Sequence, residues 1–325
     1  MGTDSHSHAI QKGDRKYKGQ QNSHINKKPD FFIVGAGKSG TTSMHEYLKQ
    51  HPGIFMPTLK DAAFFGSDIK YKHGRLFKDL DDYLRIFRSA LDNQIIGDSC
   101  VAYLESKNAP QEIKEFNSAA KIIIMLRNPA EQMYSQYRHM LWEGNEVLDS
   151  FSEALDAEEA RKRGERIPAN TNYPPALFYR EVASYSKKVK RYFDVFGREN
   201  VHIIIFDDFK SDTAGVYRDT LYFLGVNEDF CPEFERVNVG KAPRSRMLQK
   251  MLSGGLPKFI TTPIKKIIPW TFINSILEKL KNINSKKTQH RPLDKELKRQ
   301  LLQDFEQEIN ELENIIGRDL SFWRK

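Results

Sequence analysis

Short apolar runs alternate with helix-like stretches along most of the chain. Runs bounded by turn residues predict buried strands at 31–34, 53–56, 95–98, 121–126 and 201–206. Apolar positions with a helical period predict helices at 41–50, 81–91, 109–118, 129–142, 150–163, 176–196 and 213–224. Strands that alternate with helices indicate an α/β fold, in which helices flank a central parallel sheet around one continuous core.

The two ends of the chain differ from this central pattern. Residues 1–28 are polar and predict a disordered basic tail, which precedes a single domain at 29–325. An amphipathic pattern rich in Glu, Lys and Gln predicts a C-terminal helix at 293–316. The tail lacks the apolar core of a signal peptide, and no run reaches the roughly 18 apolar residues that a membrane-spanning helix needs.

Charge and cysteine content narrow the classes of function. The net charge is +8, but the charges are spread out and no recognised nucleic-acid motif occurs, so we expect no nucleic-acid partner. A basic protein suits small anionic substrates equally well. The two cysteines, Cys100 and Cys231, provide no disulfide framework, and the simplest interpretation is a reduced, cytoplasmic location.

A basic amphipathic segment at 255–291 combines lysines with large apolar residues and contains a single acid, Glu278. One interpretation is that 256–291 makes peripheral contact with a membrane surface. The other, which we favour, is that amphipathic helices pack on the core and leave their lysines in solvent.

Residues 31–47, FFIVGAGKSGTTSMHEY, combine a strand, a glycine-rich turn and the start of a helix. Glycines let backbone N–H groups converge, and the helix N-terminus adds partial positive charge, so this unit is a natural phosphate site. Lys38 contributes an ammonium group to the same loop. Three hydroxyl residues open the helix: Thr41, Thr42 and Ser43.

Two familiar nucleotide motifs fit this loop only in part. The nucleoside-triphosphate motif requires a lysine directly after its second glycine, but Thr41 fills that position and Lys38 lies three residues earlier. The string GxGxxG also occurs, but Asp61, near the distance of a ribose-binding acid, is separated by a proline from the nearest strand-like run. A P-loop-like three-layer fold is therefore predicted, whereas a kinase and a dinucleotide-binding enzyme are disfavoured.

A second segment, 121–137, supplies the decisive pattern. It reads KIIIMLRNPAEQMYSQY, in which Arg127 ends an apolar strand and Ser135 follows eight residues later on the next helix. The KSGTT loop and this segment, in this order and spacing, resemble the sulfotransferases that use 3′-phosphoadenosine 5′-phosphosulfate (PAPS). The segments KDAAFF at 60–65, GDSCVAYL at 97–104 and FLGV at 223–226 extend the resemblance along the chain.

The resemblance implies that PAPS binds without a metal ion and assigns its contacts. Arg127 and Ser135 match the pair that holds the 3′-phosphate, and arginine offers a planar fork of donors for that purpose. The residues implied to bind the 5′-phosphosulfate are Gly37, Lys38, Ser39, Gly40, Thr41 and Thr42. The late basic loop NVGKAPRSR resembles one that closes over the nucleotide, through Gly240, Lys241 and Arg244.

Transfer of a sulfonate builds negative charge on the leaving phosphate oxygen, and Lys38 is the expected catalytic donor. The acceptor must also lose a proton to a general base. In carbohydrate-type members a glutamate does this, and Asp61, one methylene shorter, matches its position. Lys60 is either a ligand of the sulfonate or an ordinary surface lysine, and His139 and Glu105 are weaker candidates for the base.

The sequence thus predicts a PAPS-dependent sulfotransferase that modifies a hydroxyl or amine of an acceptor. The segment at 60–65 points to a carbohydrate or glycolipid rather than a small phenol, and we expect 143–180 to line the acceptor site. The alternative is a non-catalytic nucleotide-binding or membrane-associated protein that retains the phosphate loop. The shorter Asp61 keeps this alternative open.

Overall fold

The structure is a computed structural model that describes residues 27–72, 74–77, 79–169, 171–235, 241–243, 285–287 and 292–324. The predicted N-terminal tail up to residue 26, Gly240, Arg244 and most of the basic segment at 255–291 lie outside these residues. Of Lys241, only the backbone is described.

Five parallel strands form the central sheet. They are β1 (Phe31–Gly35), β2 (Ile54–Phe55), β3 (Ile95–Ser99), β4 (Lys121–Leu126) and β5 (Val201–Ile205). Their order across the sheet is β2-β3-β1-β4-β5. The central strand β1 is buried along its whole length and pairs with β3 and β4, so that Phe31 lies opposite both Gly97 and Lys121. The predicted α/β fold is therefore confirmed.

Helices connect and cover these strands. They are α1 (Thr41–Leu48), α2 (Leu80–Leu84), α3 (Ala102–Glu105), α4 (Ala109–Phe116), α5 (Pro129–Glu143), α6 (Phe151–Asp156), α7 (Glu158–Lys162), α8 (Tyr179–Ala183), α9 (Ser186–Phe196), α10 (Phe206–Ser211), α11 (Thr213–Leu224), α12 (Lys295–Asp304) and α13 (Glu306–Ile316). Short 3-10 turns occur at Arg85–Phe87, Pro174–Leu177, Arg198–Asn200 and Ser321–Arg324. None of the described helices is long and apolar enough to span a bilayer.

The two faces of the sheet bury separate apolar clusters because successive strand residues point to opposite sides. Phe32 and Ile122 belong to the larger cluster, together with residues of α4, α5, α9, α12 and α13. Phe31 and Ile123 belong to the smaller cluster, which α1 and α11 cover. The loops that follow β1, β3 and β4 lie at the carboxyl edge of the sheet, where ligands of α/β folds bind.

Outside the sheet, β6 (Lys241–Pro243) and β7 (Ser285–Lys287) form an antiparallel pair. The strand β6 lies beside α5, so the backbone of residues 241–243, the described part of the late basic loop, is close to the helix that follows Arg127.

One predicted helix is divided and one predicted strand is shortened at the end of the sheet. The predicted helix at 176–196 is wrong as one element, because the backbone is extended at Ser184 and Lys188 Nζ donates to the carbonyls of Glu181 and Val182 at the end of α8. The predicted strand at 201–206 ends at Ile205. The acidic pair that follows therefore lies in the first turn of α10, where a helix N-terminus favours negative charge.

Two other predicted helices are divided as well. The stretch at 150–163 separates into α6 and α7 at Ala157. The C-terminal helix predicted at 293–316 separates into α12 and α13 at Phe305, whose ring is buried in the larger apolar cluster. In both cases the apolar period continued across the break, so the pattern alone did not reveal it.

Candidate active site

The loop between β1 and α1 lies at the carboxyl edge of the sheet and is anchored on the neighbouring strand and helix. The Ala36 N–H donates to the carbonyl of Met125 at 2.7 Å, and Gln132 Nε2 donates to the carbonyl of Gly37 at 3.1 Å. Gly40, directly before α1, has a φ of +92°, and a Cβ there would lie 3.1 Å from the Phe206 ring. Only glycine fits this position without strain.

One stripe of helix α5 faces this loop. Gln132, Gln136, His139 and Glu143 follow one another at spacings of three or four residues, which places them on one side of the helix. Gln132 and Gln136 lie against Gly37, whereas His139 and Glu143 lie close enough to Lys38 to interact with its charge. Ser135 is half-buried in the same part of the helix.

The surroundings of Lys38 strongly shift the pKa of its side chain. Its backbone adopts a φ of +65°, in the left-handed region. Burial lowers the pKa of its ammonium group to about 8, and the neighbouring charges of Arg127 and Lys60 act in the same direction, while Glu143 opposes them. The charged form of Lys38 is therefore unusually costly in the free protein, and an anion beside it would lower that cost.

Arg127 follows the end of β4 and is held in place by three kinds of contact. One guanidinium nitrogen donates to the carbonyl of Lys38 at 3.3 Å, and another pairs with Glu131 at 3.0 Å. Its guanidinium also lies 4.8 Å from the centre of the Phe206 ring. The structure thus brings Lys38 and Arg127 together as the sequence predicted.

Arg138 is a further cation that the sequence analysis missed. Burial and the charge of Arg127 lower the pKa of its guanidinium to about 10, and its charge also acts on Lys38. It lies 5.5 Å from the centre of the Tyr134 ring. The sequence offered one sign that Arg138 belongs to the site. Arg138 follows Ser135 by three residues on α5, and that spacing keeps two side chains on one side of a helix.

Buried hydroxyl groups underlie this basic region. Ser39 is fully buried, and its Oγ has no hydrogen-bond partner among the described residues. The same holds for the hydroxyl of Tyr185, which lies beside Ser39 and the backbone of Arg127. Hydroxyls, a glycine-rich backbone and several cations form a donor set that fits a ligand with phosphate or sulfonate groups.

Lys60 and Asp61 lie on the loop after β2, next to the end of β3. The Asp61 N–H donates to the carbonyl of Ser99 at 2.8 Å, and Asp61 Oδ1 accepts from the Val101 N–H at 3.0 Å. Asp61 Oδ2 accepts from Lys60 Nζ at 3.0 Å. The Asp61 side chain is 48% exposed, whereas that of Lys60 is 16% exposed and interacts electrostatically with Lys38.

The two weaker candidates for the general base have different surroundings. Burial, with Lys38 and Lys60 adding to the effect, lowers the pKa of His139 to about 3, and its ring stacks on Trp142 at 5.9 Å. Glu105 Oε2 accepts from Lys188 Nζ at 2.7 Å, so the carboxylate of Glu105 is already engaged in an ion pair.

His45 was not considered in the sequence analysis. It is fully buried on α1, and neither ring nitrogen has a hydrogen-bond partner among the residues that the structure describes. Burial lowers the pKa of its imidazole to about 4, with Lys60 acting in the same direction and Asp61 opposing it. In the sequence, the only local sign that His45 lies near the loop was its position four residues after Thr41 on α1.

A cavity of about 370 Å³ lies between residues 70–72, in the loop after β2, and the 167–174 region. It is lined by Lys70, Tyr71, Lys72, Ile167, Pro168, Ala169, Thr171 and Pro174. The Tyr71 ring lies 5.5 Å from that of Tyr173, and burial raises the pKa of its hydroxyl, with Asp61 contributing. This places part of the predicted 143–180 region beside the Lys60 and Asp61 loop.

Residues 28–239 match the family model of the sulfotransferase domain. The chain belongs to the sulfotransferase family. A sulfotransferase of known structure from Alicyclobacillus acidocaldarius is 31% identical, with a TM-score of 0.68 and coverage of 92% of this chain and 99% of that chain. The family and fold predicted from the sequence are therefore confirmed.

Curated relatives match over shorter stretches. The bovine bifunctional heparan sulfate N-deacetylase/N-sulfotransferase 2 is 26% identical over 61% of this chain, and the mouse heparan sulfate glucosamine 3-O-sulfotransferase 5 is 26% identical over 61%. The matched region makes up 22% of the bovine enzyme and 54% of the mouse enzyme, so the chain spans only part of the length of these sulfotransferases.

Proposed function

We propose that the protein transfers a sulfonate from PAPS to a hydroxyl or amine of an acceptor. The main support is the convergence of Lys38, Lys60, Arg127 and Arg138 on one loop at the carboxyl edge of the sheet. A nucleotide with a 3′-phosphate and a 5′-phosphosulfate brings enough negative charge to offset such a cluster. The sulfotransferase family model supports the same donor.

In this mechanism the acceptor oxygen or nitrogen attacks sulfur in line with the leaving phosphate oxygen. The bond between sulfur and the phosphate oxygen breaks, and 3′-phosphoadenosine 5′-phosphate (PAP) leaves. Lys38 and the N–H groups of its loop stabilise the charge that grows on that oxygen. Arg127, with Ser135 on the following helix, is proposed to hold the 3′-phosphate.

The acceptor proton is proposed to pass to Asp61. Its carboxylate is accessible, and Lys60 and the Val101 N–H hold it in one orientation. His139 is a poorer candidate, because its ring is stacked on Trp142 and burial, with Lys38 and Lys60 adding to the effect, lowers the pKa of its imidazole. Lys60 pairs with Asp61 and its charge acts on Lys38, so we propose that it contacts the transferred sulfonate.

A carbohydrate or glycolipid is the acceptor class that we favour. The support is the cavity lined by Tyr71, whose ring packs against that of Tyr173, together with the heparan sulfate sulfotransferases among the relatives. Aromatic walls with a few polar groups are typical of small-molecule sites. A cytoplasmic location, and peripheral membrane contact through 256–291, stay predictions from the sequence.

Metal-free binding of PAP, measured by calorimetry, tests the nucleotide site. We expect the wild type to bind PAP and the Arg127→Glu variant to bind it about tenfold more weakly or worse, because a charge reversal faces the phosphate. Lys38→Ala should also weaken binding. Arg85→Ala is the matched control, since Arg85 is exposed and pairs with Asp82. Binding of ATP with Mg²⁺ but not of PAP would instead favour a kinase.

Sulfonate transfer needs a separate assay with radiolabelled PAPS and a panel of N-desulfated heparin, chondroitin and a galactosyl lipid. Transfer by the wild type to any of these acceptors supports the proposal. In Arg127→Glu, the KM for PAPS should rise far more than the KM for the acceptor. PAP binding without transfer to any acceptor would favour the non-catalytic nucleotide-binding protein.

A further inference from the structure

One arginine, Arg75, binds the carbonyl groups of the loop that contains Lys60 and Asp61. Arg75 Nη1 donates to the carbonyls of Ala63 at 2.7 Å, Phe64 at 2.8 Å and Phe65 at 3.1 Å. Its Nη2 donates to the carbonyls of Gly66 and Ile69, the latter at 3.2 Å. Five carbonyl oxygens of the turn at 63–69 therefore converge on one guanidinium.

The backbone of this loop needs such support. Asp61 has a φ of +61° and Ala63 a φ of +51°, in the left-handed region that residues with a Cβ rarely adopt. A backbone of this kind persists only where the surroundings determine it. Five carbonyl dipoles that point at one centre also repel one another unless a cation lies among them.

The loop has further contacts: the Phe65 ring is buried in the larger apolar cluster, the Asp68 carboxylate accepts from Ser106 Oγ, and backbone N–H groups have partners of their own. Glu112 on α4 accepts from the N–H of Gly66 at 2.6 Å and from that of Ser67 at 3.1 Å. The Asp61 N–H donates to Ser99 at the end of β3. Arg75 thus holds the carbonyl side of a turn whose N–H side is held by Glu112, and it makes no ion pair with any residue that the structure describes.

The contacts of Arg75 do not extend to the nucleotide side of the site. Lys38 and Arg127 are anchored by β4, α5 and each other. The turn at 63–69, by contrast, is preceded by Asp61 and followed by Tyr71. Tyr71 lines the cavity. Loss of the Arg75 contacts should therefore disturb the half of the site that contains Asp61 and Tyr71 and leave the half that contains Lys38 and Arg127 unchanged.

We propose that Arg75 is the positioning residue of the acceptor half of the site, an inference that rests on the proposed function. Its guanidinium fixes the turn at 63–69 and so keeps the Asp61 carboxylate and the Tyr71 ring where an acceptor would meet the sulfonate. Arg75 itself touches neither PAPS nor the acceptor in this scheme. Arginine suits this role because its planar fork offers five donors, whereas lysine offers a point charge.

The test compares Arg75→Ala and Arg75→Lys with the control Arg85→Ala in the full chain. Hydrogen–deuterium exchange should become faster in 61–69 for both Arg75 variants, with 31–48 and 121–143 unchanged. PAP affinity, measured by calorimetry, should stay within about twofold of the wild type. Transfer from PAPS to the best acceptor of the panel should fall by about 100-fold in kcat/KM for that acceptor, because small misplacements of reacting groups cost that much.

The KM for PAPS should change little in the Arg75 variants, a pattern that general unfolding would not give. Arg75→Lys should retain part of the activity, and methylguanidinium added to Arg75→Ala should restore part of it. If Arg75→Ala does not fold, Arg75→Lys alone decides the matter by the same measurements.

Two results would overturn the inference: unchanged exchange in 61–69, or a loss of PAP affinity equal to the loss of transfer. Failure of the wild type to transfer sulfonate would contradict the proposed function instead. In that case the exchange and PAP measurements still decide whether Arg75 holds this loop independently of the nucleotide site.

Discussion

The ammonium group of Lys38 lies where Arg127 and Lys60 already make the surroundings positive. Burial and these two charges lower its pKa from 10.5 to about 8. Because the unfolded chain holds this proton more tightly, Lys38 destabilises the free fold below about pH 8, and this cost disappears as the pH rises towards 10.5. A bound phosphate or sulfonate would favour the charged form and reverse the effect.

PAP affinity should therefore fall as the pH rises above about 8. The decrease should approach tenfold per pH unit, because each bound PAP then requires the uptake of one proton by Lys38. Calorimetry at a series of pH values measures it. Lys38→Arg is the control, since a guanidinium stays charged throughout this range, and the same decrease in that variant would show that Lys38 is not the group responsible.

At the scale of the elements, β1 and β3 approach closely at Gly97. A Cβ at Gly97 would lie 2.2 Å from the Phe31 ring and 2.4 Å from Met56 Sδ. The smaller apolar cluster fills the space that the missing side chain leaves. Ser99, the last residue of β3, accepts from the Asp61 N–H. The packing at Gly97 therefore also supports the loop that contains Lys60 and Asp61.

Gly97→Ala should lower the free energy of unfolding by about 1–3 kcal/mol, because the methyl group overpacks a dense core. Urea unfolding followed by circular dichroism measures the change. Adding Phe31→Leu, which removes the nearest ring atoms, should recover part of the loss. If the loss in the double variant equals or exceeds the sum of the two single losses, overpacking against Phe31 is not the cause.

At the scale of the whole molecule, the turn at Ser321–Arg324 packs against the carboxyl edge of the sheet. Trp323 is almost fully buried, and its indole N–H donates to Asp207 Oδ2 at 2.9 Å. Its carbonyl accepts from Asn128 Nδ2 at 2.8 Å, in the turn directly after Arg127. The last turn of the chain thereby connects α10 with the turn that presents Arg127.

Trp323→Ala should lower the free energy of unfolding by about 3–5 kcal/mol, since it removes a large buried side chain. It should also weaken PAP binding at temperatures where the protein is folded, because the turn at Asn128 loses its packing. Urea unfolding and calorimetry measure the two effects. Trp323→Phe should lose less stability, as most of the packing remains, and equal losses in both variants would contradict this explanation.

Several features of the site could be predicted because their causes are local in the chain. The strand, glycine turn and helix start around Lys38 follow one another within a few residues, and Arg127 directly ends an apolar strand. The break inside 176–196 could not be predicted in this way. Its cause is the contact of Lys188 with carbonyls of the preceding helix and with Glu105, a residue far earlier in the chain.

The sequence by itself determined the alternation of strands and helices, the glycine-rich loop after β1 and the family, because these depend on short-range periodicity and on motifs that are contiguous in the chain. Only the tertiary structure decided that Arg138 and His45 join the site and that Arg75 holds the turn after Asp61. Those roles depend on burial, on the distances between charges and on the convergence of carbonyl groups. Such quantities exist only once distant segments have packed together.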